Sequence, residues 1–177
     1  AHPAELDLLL DELVEATAHY MAAQAEAGAD ALMMFESWAE GLPDDVFEQI
    51  VIRPNMKLVK RLRELGVKQP IIGFPRGAGV MLPDYAAETG VSAVGLDTAA
   101  LPSFVNRELP PGFPVQGHLD PLLLMAGGDA MERRIIDLLE AYQDRPHIFN
   151  LGHGVLPTTP IPHVERAVKT IRDWRRK

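Results

Sequence analysis

QPIIGFPRGAGVMLPDYAAETGVSAVGLD, residues 69 to 97, is the stretch that decides the fold. It opens on a short apolar run, Gln69 to Pro75, without polar alternation, which is the pattern of a strand covered on both faces. A helical stretch follows and ends near Gly90, a residue suited to the turn that closes a helix. A second apolar run, SAVGLD, occupies Ser92 to Asp97. A strand, a helix and a strand in so short a span imply a right-handed crossover between parallel neighbours.

The same unit recurs on both sides. Upstream, Leu6, Leu9, Leu10, Leu13, Thr17, Tyr20, Met21 and Ala25 step by three and four residues towards Gly28, predicting an amphipathic helix. ADALMMF (29–35) reads as the first strand, and a helical stretch runs from about Pro43 to Leu65. Downstream, a short helical connection precedes FPVQGHLD (113–120). Asp129 and Glu132 have the spacing of an N-cap and its N3 partner for a helix reaching Tyr142. HIFNLGH (147–153) is the fifth strand, and Val164, Val168, Ile171 and Trp174 predict the buried face of the last helix.

Five strand-then-helix units without a linker predict one α/β domain over residues 1–177. Two architectures satisfy the pattern. A five-stranded doubly wound sheet would be complete at this length, whereas a (β/α)₈ barrel needs about 250 residues. Pattern alone slightly favours the open sheet. In either fold ligands gather beyond the C-terminal ends of the strands.

Composition narrows the function classes. With 47% hydrophobic and 24% charged residues the chain can bury a core, and no low-complexity run suggests disorder. The net charge of −8 provides no basic field for nucleic acid. The absence of cysteine removes disulfides, thiol nucleophiles and thiolate metal sites. No apolar run is long enough to span a bilayer, and the acidic start AHPAELDLLLDELVEA is unlike a signal peptide, so a cytoplasmic protein without membrane contact is expected. A first residue Ala1 that leads almost at once into a helical pattern predicts a cut inside a longer protein. The basic tail Arg172, Trp174, Arg175, Arg176 and Lys177 reads as a solvated helix end.

The positions following each strand carry the candidate chemistry: Phe35, Glu36, Ser37 and Trp38; Arg76, Gly77 and Gly79; Asp97; Gln116, His118 and Asp120; Asn150, His153 and Gly154. The Gly77-Ala78-Gly79 turn would let backbone amides approach an anion, although the dinucleotide fingerprint is missing. Asp97, His118, Asp120 and His153 include oxygen and imidazole donors, but no HxH or HxxxH pair accompanies them and no metal is expected. No Gly-x-Ser-x-Gly elbow surrounds Ser37, so hydrogen bonding to a ligand is its expected role. His153, between two glycines, is placed to donate to a carboxylate or to shuttle a proton. His2, His19, His147 and His163 are expected to have no functional part.

Taken together, these segments resemble one family. His147-Ile-Phe-Asn-Leu-Gly-His-Gly154 followed by Pro157 resembles the C-terminal signature of uroporphyrinogen decarboxylases. Phe35-Glu-Ser-Trp-Ala39 resembles that family's FxSWAG element, Val94-Gly-Leu-Asp97 its VGLD strand, and Val115-Gln-Gly-His-Leu-Asp-Pro121 its LQGNLDP strand, all in family order. The resemblance implies that these units are the C-terminal part of a (β/α)₈ barrel, overturning the preference for the open sheet. It also implies stepwise decarboxylation of the acetate arms of uroporphyrinogen to coproporphyrinogen, with no metal or organic cofactor. By motif, Ser37 and His153 should contact substrate carboxylates and Phe35 should pack against the tetrapyrrole. Arg76, at the end of the next strand, is added as a cation for another carboxylate.

The chain departs from the family pattern in several places. The family's RQAGR segment, pyrrole-binding aspartate and substrate-side tyrosine precede the region matched, and none of Tyr20, Tyr85 or Tyr142 lies in a matching motif. The isolated chain is therefore expected to be inactive. His118 replaces the usual asparagine, and Thr98 stands where tryptophan commonly follows VGLD. The competing readings are a corrinoid-linked methyltransferase of the same superfamily, disfavoured by the missing cysteine, and a non-catalytic partial barrel acting as a binding module. The expected partners are the tetrapyrrole and, through exposed barrel edges, a second copy in a homodimer or another associating chain.

Overall fold

The computed structural model describes residues 2–175, so Arg176 and Lys177 of the basic tail lie outside the described residues. The elements follow in the order α1 (Pro3–Glu26), β1 (Leu32–Glu36), α2 (Asp44–Phe47), a π-helical segment (Glu48–Ile52), α3 (Arg53–Glu64), β2 (Ile71–Pro75), a 3-10 turn (Gly79–Met81) and α4 (Leu82–Glu88). Then come β3 (Ala93–Gly95), α5 (Pro102–Glu108), β4 (Val115–Gln116), α6 (Pro121–Ala126), α7 (Gly128–Ala141), β5 (His147–Ile148) and α8 (Ile161–Asp173).

The strands form one parallel sheet in the order β1-β2-β3-β4-β5. A doubly wound sheet reverses its strand order midway, and this one does not, which leaves the sequential order of a barrel segment. Contacts divide the chain into two compact units that meet within β3, at Val94 and Gly95.

In the first unit every residue of β2 is buried, as its unbroken apolar run requires. Leu32 and Met34 of β1, Leu58, Val59 and Leu62 of α3, and Tyr85 of α4 complete the core. The strand in ADALMMF starts at Leu32 because Ala27, Gly28 and Ala29 donate their amides to Ala23, Ala25 and Gln24, closing α1 with Gly28 at φ +104°. The helix predicted over 43–65 is present but carries the π segment, whose Val51 and Ile52 are buried.

The face predicted for α1 splits in two. Leu10, Val14, Thr17, Ala18 and Met21 turn inward, whereas Leu9, Leu13 and Tyr20 are 55%, 53% and 69% exposed. This helix is apolar over an arc wider than its own unit covers. Arg61 of α3 clamps it with two bonds of 2.8 Å to Glu15.

In the second unit Val105, Val115, Leu119, Met131, Ile135, Leu138 and Tyr142 form the core. Two expectations need correction here. Asp129 is not an N-cap: α7 starts at Gly128 after Gly127, both at positive φ, and Asp129 lies in its first turn. Its carboxylate and that of Glu132 both face Arg166 of α8. The residue that does cap a helix is Asp120, whose side chain accepts the Leu122 amide at 2.8 Å ahead of α6. The buried face of α8 is also shifted. Val164 and Val168 are exposed, and Ala167 is buried, because His163 docks on the α6–α7 break, its Nδ1 2.9 Å from the Met125 carbonyl. The small Ala167 lies on the inward strip.

Candidate functional site

In the first unit Phe35 is in register with Phe74, and the two rings meet edge to face at 6.1 Å. Phe74 is buried, and Phe35, its neighbour in the sheet, stays 67% exposed. Strand alternation puts Glu36 on the opposite face, towards the helices. There a buried polar chain runs through Asn55: its Nδ2 donates to the Val51 carbonyl at 2.7 Å, and the Tyr85 hydroxyl donates to its Oδ1 at 3.2 Å. Burial raises the Glu36 carboxyl above the usual carboxylate range, partly offset by a hydrogen bond with Asn55. Burial likewise raises the Tyr85 phenol. Gly73 makes room for Tyr85, since a Cβ there would lie 2.6 Å from its ring and its hydroxyl.

Sequence reasoning missed this chain of groups. The available signal was Asn55, a polar residue on the face of α3 that otherwise carries Leu58, Val59 and Leu62.

Ser37 follows β1 directly and Arg76 follows β2 directly. Ser37 is half-buried, and its hydroxyl is engaged by no other described residue. The Arg76 guanidinium donates through Nη1 to the Ser37 carbonyl at 3.1 Å and lies 3.6 Å from the Glu40 carboxylate. Phe35, Ser37 and Arg76 are thus adjacent at the C-terminal ends of β1 and β2, with Trp38 79% exposed beside them.

His153 belongs to the second unit, where β4 and β5 continue their pairing beyond the regular strands. Leu119 donates to the Asn150 carbonyl at 3.0 Å and accepts from Gly152 at 2.8 Å. Gly152 is wedged against the β3 end: a Cβ on it would meet the Thr98 amide nitrogen at 2.6 Å. The next residue, His153, is exposed, and no other described residue bonds its ring. Thr98 is therefore the surface on which the turn before His153 rests.

His118 takes no part in an open site. It is fully buried, with Nε2 2.9 Å from the Tyr142 hydroxyl and Nδ1 without a partner among the described residues. Burial pushes its imidazole down to about 4; Arg134 and His147 add to this and Asp97 opposes it. His147, expected to have no functional part, makes structural contacts in this cluster: its Nε2 bonds the Gly117 carbonyl at 2.6 Å and its ring lies 4.8 Å from that of Tyr142. Asp97 accepts the Ala99 amide at 2.8 Å, so with His118 buried and Asp120 capping α6, the donor set named from sequence does not converge. Among the described residues no three His, Cys, Asp or Glu side chains form a metal-type group. No described helix is long and apolar enough to cross a membrane.

A family model for uroporphyrinogen decarboxylase matches residues 1–174. The chain is 64% identical to the uroporphyrinogen decarboxylase of Hyphomonas neptunium over 97% of its own length and 50% of that protein. It is 50% identical to that of Maricaulis maris, again over 97% and 50%. With the Caulobacter vibrioides enzyme it shares 49% identity, over 96% of the chain and 48% of the relative. The chain therefore spans about half the length of the curated relatives it matches. The sequential parallel sheet, the strand-end residues in family order and a match across nearly all of its residues establish that this chain belongs to the uroporphyrinogen decarboxylase family.

Proposed function

We propose that this chain supplies the C-terminal half of a cytoplasmic uroporphyrinogen decarboxylase, which removes the acetate carboxyls of uroporphyrinogen one after another to give coproporphyrinogen. The observation that carries the reading is the pair of free polar groups at strand ends, the Ser37 hydroxyl after β1 and the His153 imidazole after β5, in a chain of this family.

Each turnover converts a –CH₂–COO⁻ arm into –CH₃ and CO₂. The electron pair of the breaking bond needs a sink, which a protonated pyrrole provides; the methylene carbon then takes up a proton and the ring gives back its own, so one proton is consumed for each CO₂ released. The groups in this chain suit binding better than proton transfer. Ser37 donates to one substrate carboxylate, His153 to another, and Phe35 offers its exposed ring to the tetrapyrrole. Arginine-rich and acidic groups from the other half of the family's chain would hold and protonate the pyrrole, so this chain by itself should not turn over.

The test is carbon dioxide release from uroporphyrinogen by the full-length protein, with and without Ser37→Ala and His153→Asn. Loss of one oriented bond to a charged group costs about 1.5 to 3 kcal/mol, roughly ten- to a hundredfold in kcat/KM. A full-length wild-type protein with no decarboxylation would overturn the assignment. Undiminished kcat/KM in both variants would remove these two residues from the site.

A further inference from the structure

We infer that Arg76 is a positioning residue which acts through Ser37 and does not itself bind a substrate carboxylate. The inference rests on the decarboxylase reading above and departs from the role expected of Arg76 from sequence. Its guanidinium already has two partners in the protein. Nη1 donates to the Ser37 carbonyl at 3.1 Å, and Glu40 supplies a carboxylate at 3.6 Å, leaving the arginine side chain only 27% exposed.

The backbone at the two strand ends is locked in the same place. The Arg76 amide donates to the Glu36 carbonyl at 3.0 Å, extending the β1–β2 ladder by one bond. Gly77, at φ +81°, presses on the Ser37–Glu40 turn so closely that a Cβ would collide with the Glu40 Cβ and lie 2.9 Å from its Cα. Beneath this, the Glu36 carboxyl is tied to Asn55 on the helix side. Ser37 is thus held by the Arg76 guanidinium, by the tight Gly77 turn and by the half-buried Glu36 before it. A long, flexible cation committed to a backbone carbonyl gains most by fixing that peptide, and the peptide fixed here carries the serine hydroxyl.

Two arms test this in the full-length protein. In a double-mutant cycle on kcat/KM, Arg76→Met should cost about ten- to a hundredfold when Ser37 is present and less than about threefold in a Ser37→Ala background, because residues acting as one unit are not additive. Arg76→Lys, which keeps a cationic donor, should recover most of the loss. Equal losses in both backgrounds would mean an independent substrate contact and would overturn the inference. The second arm does not depend on activity: amide hydrogen exchange over residues 36–42 should quicken in Arg76→Met and stay near wild type in Arg76→Lys, with β2 unchanged. If exchange in that segment is unaltered by Arg76→Met, the clamp does not exist. If wild-type protein fails to decarboxylate while the exchange arm behaves as expected, the functional reading falls and the clamp stands.

Discussion

Lowering the pH from 7.5 to 5 should destabilise the second unit through one buried side chain, His118. In the fold its imidazole is held down to about 4, chiefly by burial, and in the unfolded chain it titrates at the ordinary histidine value of about 6.5. Between those values the unfolded chain binds the extra proton. The stabilisation is therefore fully present above about pH 6.5 and is lost as the pH falls towards 4. Integrating the difference gives a loss of roughly 2 kcal/mol by pH 5 and on the order of 3 kcal/mol in full. His147, also lowered by burial, acts in the same direction.

The groups around His118 do not rescue its charged form. Tyr142 bonds Nε2, Nδ1 has no partner among the described residues, Arg134 repels a proton, and Asp97 only partly compensates. The assay is urea unfolding followed by Trp174 fluorescence in a Trp38→Phe background, so that the signal comes from the second unit. With a slope of about 2 kcal/mol per molar urea, the midpoint should fall by about 1 M between the two pH values. His118→Asn places a non-titrating amide at this position, and its midpoint should fall by less than half as much. A pH dependence identical in wild type and His118→Asn would refute the assignment, as would an NMR titration of the His118 ring centred near its ordinary value.

Further predictions concern packing around the site. Tyr142→Phe removes the hydroxyl that bonds His118 Nε2 and should cost about 1 to 3 kcal/mol in unfolding free energy. Gly152→Ala drives a Cβ onto the Thr98 amide, so the turn carrying His153 must move; turnover of the full-length protein should fall, and stability should drop by about 1 to 3 kcal/mol by urea titration. On α1, Leu9 and Leu13 are exposed and form an apolar stripe; we propose that the isolated chain associates through it, and replacing them with glutamate and lysine should lower the average mass in light scattering. An unchanged average mass would show that the stripe is not the sticking surface.

Much of the architecture could be read in one dimension. The short unbroken apolar runs around Ile71–Pro75 and Ala93–Gly95 have the pattern of strands covered on both faces, and the helical stretch between them implies a parallel crossover. The positions of Ser37 and Arg76 followed, because they come just after predicted strands; the strand predicted over 147–153 is regular only at His147–Ile148, so that His153 lies on a turn beyond it. Whether the sheet was doubly wound or part of a barrel did not follow from periodicity, which records what each segment buries but not the order in which segments pair. Motif resemblance indicated the barrel, and the strand order agrees with it.

Other features depended on distant residues meeting in three dimensions. Asp129 has the local spacing of an N-cap, yet the helix starts two residues earlier, at Gly128 after Gly127, both at positive φ, and the Asp129 carboxylate faces Arg166. Val164 and Val168 have the period of a buried face, but His163 docks on Met125 and turns α8 so that Ala167 is covered instead. Arg76 illustrates the same limit: its charge and its place after a strand suit a carboxylate, and only the fold brings Ser37 and Glu40 to its guanidinium. The sequence by itself determined the α/β class, the family and the strand-end positions, because periodicity and motifs are local properties of the chain. Tertiary structure alone decided which of those polar groups remain free, because a hydrogen-bonding group takes whichever partner folding places nearest, and that partner lay 39 residues away for Arg76 and 24 for His118.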